Sequence, residues 1–131
     1  MDPATRARFD RELDWVVERL PEQVHELLDE VPLIVEDEPS AAILAEAGLG
    51  HADELCGWYA GTPLPNRTVE HGLQMPDVVM IFRRGILAAS RDRRGRVTTR
   101  ALREQIRITI LHELAHHHGF DEEELDELGY G

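Results

Sequence analysis

The residues of this chain that could do chemistry are concentrated in one stretch, His112-Glu113-Leu114-Ala115-His116, followed by His117, His118 and Gly119. On a helix, residues four apart lie one above the other, about 6 Å apart along the axis, so the imidazoles of His112 and His116 can reach a single ion. Glu113, next to the first histidine, is placed to act as a base on a water at that ion instead of binding the metal itself. The chemistry implied is metal-assisted hydrolysis, most naturally of a peptide bond, with Zn2+ as the ion.

A catalytic zinc takes three protein ligands and keeps a fourth position open. His112 and His116 supply two. Gly119 is suited to a left-handed cap that turns the chain back, and Asp121, Glu122, Glu123 and Glu124 follow at once. Glu122 is a candidate third ligand, or an acid pairing with the dipole at the start of a further helix. Asp121 and Glu124 have the spacing of a capping box ahead of Leu125 and Leu128, a role that competes with metal binding. His117 and His118 step to other sides of the helix and read as supporting or surface groups. Thr109, one turn before His112, reads as core packing or as support for the site. Cys56 reads as a small buried apolar residue.

The elements that must position these groups follow from periodicity. Ile106, Ile108, Ile110, Leu111, Leu114 and Ala115 mark the motif helix as buried, with Leu102 extending the pattern backwards and Thr98 or Thr99 as its cap. Asp2 before Pro3 is an N-cap signal, and Phe9, Leu13, Val16 and Leu20 recur at helical spacing up to Pro21. Val24, Leu27 and Leu28 give a short second helix, on which His25 reads as a surface residue. The run from Val31 to Val35 is β-branched and predicts a strand. Ser40 caps a brief helix that Gly48 and Gly50 stop. The stretch from Leu55 to Leu64, interrupted by glycines, suits an edge strand or hairpin arm better than a central strand, whereas Asp77-Val78-Val79-Met80-Ile81-Phe82 is the strongest strand in the chain. Residues 65–76, with His71, read as an irregular loop, and 86–90 as a helical turn. The fold class is α+β: a small mixed sheet packed on a long active-site helix, in one domain spanning residues 1–131.

Composition narrows the partners. The formal charge is -12, which argues against nucleic acid, because phosphate binding needs clustered positive charge. All 14 basic residues other than histidine are arginine, and Arg83, Arg84, Arg91, Arg93, Arg94, Arg96, Arg100, Arg103 and Arg107 fall in one segment. That segment reads as a solvated basic face pairing with the chain's own acids, or as an anionic-ligand site. The single cysteine excludes an internal disulfide and Cys-rich zinc sites. No apolar run reaches the ~20 residues of a membrane span. No signal-peptide layout appears at Met1, so a cytoplasmic protein, taken as a monomer, is the expectation.

The motif with its acid at 122 resembles the metzincin pattern His-Glu-x-x-His-x-x-Gly-x-x-His, with Glu in place of the last His. The whole chain is more similar to the small bacterial zincin-like metallopeptidase family, once treated as a domain of unknown function. Leu20-Pro21-Glu22, the Val-Glu-Asp-Glu-Pro run at 35–39, the Tyr-x-Gly-x-Pro-Leu element at 59–64 and Phe82-Arg83 carry the likeness along nearly its full length. The resemblance implies a minimal zincin-like fold. His112 and His116 would then be ligands, Glu113 the base, and Glu122 the position of the family's proposed third ligand. Only 15 residues follow His116, too few for the Met-containing turn of a metzincin site. Two functions fit: a zinc metallopeptidase acting on a peptide or small protein, or a non-catalytic zincin-fold module that binds or regulates, with or without metal.

Overall fold

The computed structural model describes residues 1–61 and 77–118, of which 116–118 are described by backbone alone. In chain order the elements are α1 (Pro3–Glu18), α2 (Glu22–Glu30), β1 (Leu33–Glu36), α3 (Ala41–Ala47), a single 3-10 turn (Ala52–Glu54), β2 (Gly57–Ala60), β3 (Val78–Phe82), α4 (Arg83–Ala89) and α5 (Thr99–His118). This is the expected α+β arrangement, five helices with a small mixed sheet.

Local signals start and stop these elements as the sequence leads one to expect. The Asp2 carboxylate accepts from the Thr5 amide at 2.8 Å and Pro3 opens α1. Ser40 accepts from the Ile43 amide, and Gly48 ends α3 at φ 73°. Thr98 accepts from the Ala101 amide at 3.1 Å, which identifies it as the cap of α5. The fourth helix is longer than the turn expected at 86–90, because β3 runs into it without a loop at Arg83.

The sheet has the order β1-β3-β2, with β1 parallel and β2 antiparallel to the central β3. Register sets two apolar rows on the face toward the helices: Leu33, Val79 and Tyr59 in one, Val35, Ile81 and Gly57 in the other. Phe9, Leu13 and Val16 of α1, Ile86 of α4, and Leu102, Ile106, Ile110 and Leu114 of α5 complete this core. Val24 of α2 joins it, with Leu27 and Leu28 partly buried. His25, read as a surface residue, is partly exposed and stands outside the core. Ile108 is also a correction: it is 46% exposed, because it lies about 200° around the helix from Ile106 and cannot share its buried face.

Glycine sets how closely α5 approaches the sheet. A Cβ on Gly57 would lie 2.8 Å from Thr109 Cγ2, 3.1 Å from Glu113 Cγ and 3.2 Å from the Met80 carbonyl oxygen. Gly85 does the same for α4, where a Cβ would lie 2.0 Å from the carbonyl oxygen of Leu55. The segment Leu55-Cys56-Gly57 is thus held between α4 and α5.

Charge ties the first helix to the rest. Arg83 is 12% exposed and bonds both Asp10 of α1 and Asp37 after β1, each at 2.9 Å. Arg6 adds two hydrogen bonds to Asp37, at 3.1 and 2.6 Å. Arg84 pairs with Glu38 and Asp53, and Arg103 of α5 with the buried Glu12 of α1 at 2.9 Å. Arg83, Arg84, Arg103 and Arg107 therefore do pair with the chain's own acids, as one reading of the arginine-rich segment required. Arg91, Arg93, Arg94 and Arg96 lie exposed around a tight loop that Asp92 organises by accepting from the Arg94 and Arg96 amides.

Two outcomes test this packing. Gly57→Ala should destabilise the fold by about 1–3 kcal/mol, since the new methyl overpacks a closed contact. Gly50→Ala, which meets nothing within 4 Å, should leave thermal unfolding nearly unchanged. The Arg6 hydrogen bonds, opposed by desolvation and reinforced by Arg83, hold the Asp37 carboxyl down to about 2, against an ordinary 3.8. A carboxyl depressed in the folded state contributes fully above 3.8 and loses its contribution as pH falls through about 2. Asp37→Asn should therefore melt a few degrees below the parent at neutral pH, about 1 kcal/mol after allowing for solvent screening. The two melting curves should converge as the pH approaches 2, the lower limit set by the Asp37 carboxyl.

Candidate metal centre

Helix α5 runs unbroken from Thr99 to His118, so the motif lies on its last turns, with His112 and His116 one turn apart, about 6 Å along the axis. What brings the helix to its place is the Gly57 contact: Glu113 and Thr109 sit against the start of β2, where a larger residue would not fit.

A groove of about 320 Å³ opens here between α5 and the segment leading into β2. Gln105, Ile108, Thr109, His112 and Glu113 form the helical wall, and Glu54, Leu55, Cys56 and Gly57 the other. His112 is exposed and Glu113 half-buried. The exposure of Ile108 now has a place, since that side chain forms an apolar stretch of the groove one turn before His112.

The wall between these groups is knit by side chains. The Thr109 hydroxyl donates to the Gln105 carbonyl at 2.8 Å, and the Gln105 amide donates to Thr109 Oγ1 at 3.3 Å. Gln105 also reaches Cys56 Sγ at 4.0 Å. Thr109 is buried, at 5% exposure, as core packing required, and it also lines the groove. Cys56, expected as a small buried apolar residue, is partly buried against the core and also lines the groove. Burial pushes its thiol up from the ordinary 9.0; a hydrogen bond with Thr109 opposes this, and the Glu113 charge adds to it. The net upward shift disfavours the thiolate, and Cys56 forms part of the groove wall.

The donor chemistry present fits zinc: an exposed imidazole and a neighbouring carboxylate share one groove, and a second histidine follows on the same helix. Among the described residues no three His, Cys, Asp or Glu side chains stand within reach of one ion. The side chains of His116, His117 and His118 lie outside the described residues, as do Gly119, the acids Asp121, Glu122, Glu123 and Glu124, and the loop 65–76 with His71. The last part of the Tyr-x-Gly-x-Pro-Leu element, Thr62-Pro63-Leu64, lies outside them too.

Sequence reasoning missed Gly57 and Gly85, whose roles depend on which element packs opposite. The interrupted Leu-Cys-Gly-Trp-Tyr run was the only signal that could have pointed to Gly57, as a site of close backbone approach.

Among the described residues no helix is long and apolar enough to cross a membrane. No curated protein matches the chain. Residues 28–131 match the profile of the zincin-like metallopeptidases. The match begins within α2, so α1 and the Leu20-Pro21-Glu22 segment lie before it. Covering most of the chain and all of the motif helix, it shows that this protein belongs to the zincin-like metallopeptidase family.

Proposed function

We propose that the protein is a zinc-dependent peptidase in which His112, His116 and Glu122 hold the ion and Glu113 is the general base. The observation that carries this reading is the placement of His112 and Glu113 side by side on the wall of one groove. The ion, when bound, supplies Lewis acidity, lowering the pKa of a water toward ~7 and polarising the carbonyl under attack.

The protein's own groups do the rest. The Cγ of Glu113 lies against Gly57, so the stem of the side chain is placed by close packing and the residue is half-buried. A base placed in this way accepts the proton of the attacking water and can pass it to the departing amine. Leu55, Cys56 and Ile108 give the groove apolar surface, and Gln105 and Glu54 give it polar groups, a lining suited to a peptide chain.

Glu113→Gln keeps the side-chain shape and removes the base. It should lower hydrolysis of a fluorogenic peptide library by about 100-fold or more while zinc binding persists at about one ion per chain. His112→Ala and His116→Ala should each lose zinc in elemental analysis. Protein that takes up no zinc on titration would overturn the metal assignment. A Glu113→Gln protein that still performs its cellular role would instead favour the non-catalytic module.

A further inference from the structure

A second groove, of about 580 Å³, lies between α1 and the first half of α5. Its floor is Trp15 and Leu20, and Arg19, Arg100, Arg103 and Arg107 frame it. We infer that this groove docks an acidic segment of a partner protein, with carboxylates on the arginines and an apolar side chain against the floor.

Trp15 is among the few exposed large apolar residues, at 36%. The guanidinium of Arg19 lies 3.9 Å from its ring centroid and that of Arg103 3.8 Å. Two cations this close to one centroid must take opposite faces, so the ring is held in an arginine-tryptophan-arginine stack. A stacked guanidinium keeps its N–H donors in the plane of the stack, at the rim, where a carboxylate can accept two of them.

The internal acids use part of this capacity. Glu12 takes Arg103 Nε at 2.9 Å, Glu104 takes Arg107, Glu18 stands 3.6 Å from Arg19, and Arg19 also donates to the Trp15 carbonyl. Arg100 adds an exposed cation on the same stripe of α5. Arg19 and Arg103 on the ring, with Arg100 and Arg107 along the same groove, outnumber Glu104 in the lining and Glu12 and Glu18 beside it, so the groove keeps a positive excess on a chain of net charge -12. Arginine and tryptophan are also the side chains that most often carry interface energy.

The groove is also separate from the motif. Gln105, Ile108 and His112 lie five positions on from Arg100, Arg103 and Arg107, a rotation of about 140° around the helix. Its other wall, α1, lies before the matched residues 28–131. The core uses Phe9, Leu13 and Val16 of that helix, which leaves Trp15 and Arg19 outside the packing.

The test is fluorescence anisotropy on the full chain with a fluorescein-labelled synthetic peptide in which glutamates flank a leucine and a phenylalanine. A peptide with glutamine in place of every glutamate is the comparison. Expected are binding that weakens with salt, at least about tenfold weaker binding of the glutamine peptide, and a similar loss in the double variant Arg19→Glu/Arg100→Glu. Both replaced side chains are exposed, and an unchanged melting temperature verifies the fold. Arg91→Glu/Arg93→Glu, which makes the same charge change elsewhere, should bind as the parent does. In a Trp58→Phe background the peptide should shift Trp15 emission. Equal binding of both peptides, or equal loss in both double variants, would overturn the proposal. So would self-association in sedimentation that Arg19→Glu/Arg100→Glu abolishes, which would make a second copy the occupant.

Discussion

The motif helix can lie where it does only because β2 begins with a residue that has no side chain. In the row Val35, Ile81 and Gly57, the first two fill the space between sheet and helix, and the third leaves it open. Thr109 and Glu113 occupy that opening. The base of the proposed reaction is therefore positioned by a strand that contributes no functional group at that point, and Gly85 sets the opposite wall by the same means. Close packing here fixes where the stem of the Glu113 side chain leaves the helix.

Charge performs a second structural task. The chain is strongly acidic, yet Arg83 and the Nε of Arg103 are engaged within it, drawing α1 onto the sheet and onto α5. Glu12 is nearly buried, and a charge so placed is tolerable only with its partner present. Arg83 opens α4, where the helix dipole disfavours a cation, and Asp10 and Asp37 offset that cost.

The parts legible in the sequence were those fixed by short-range physics. Asp2 with Pro3, Ser40 with Gly48, and Thr98 ahead of α5 are caps whose partners lie within a few residues, so spacing alone reveals them. The β-branched β3 and the long apolar α5 are similarly self-declaring. The start of α4 was hidden because two consecutive arginines after a strand give no helix signal; their four acidic partners lie far away in sequence. Ile108 was hidden because Ile106, Ile108 and Ile110 look alike in a run, although a 100° step cannot bury all three. At the site, His112 and Glu113 were legible from their spacing, whereas the glycine that fits Glu113 to its place belongs to another element entirely.

The pairing of Glu12 with Arg103 joins residues 91 positions apart, and Arg8 bonds the Val97 carbonyl across 89. Phe9 and Leu13 share one core with Ile106 and Ile110. During synthesis α1 precedes α5, so its apolar face lacks the core of α5, and Glu12 lacks Arg103, until α5 follows. The short sheet cannot substitute, since β1 must itself wait for β3. Closure is thus an event of long loop-closing distance, and the growing chain carries an unsatisfied helix over the whole interval between α1 and α5. The helix that bears the motif is also the one that ends this exposure, so in this protein the completion of the core and the assembly of the groove are the same event.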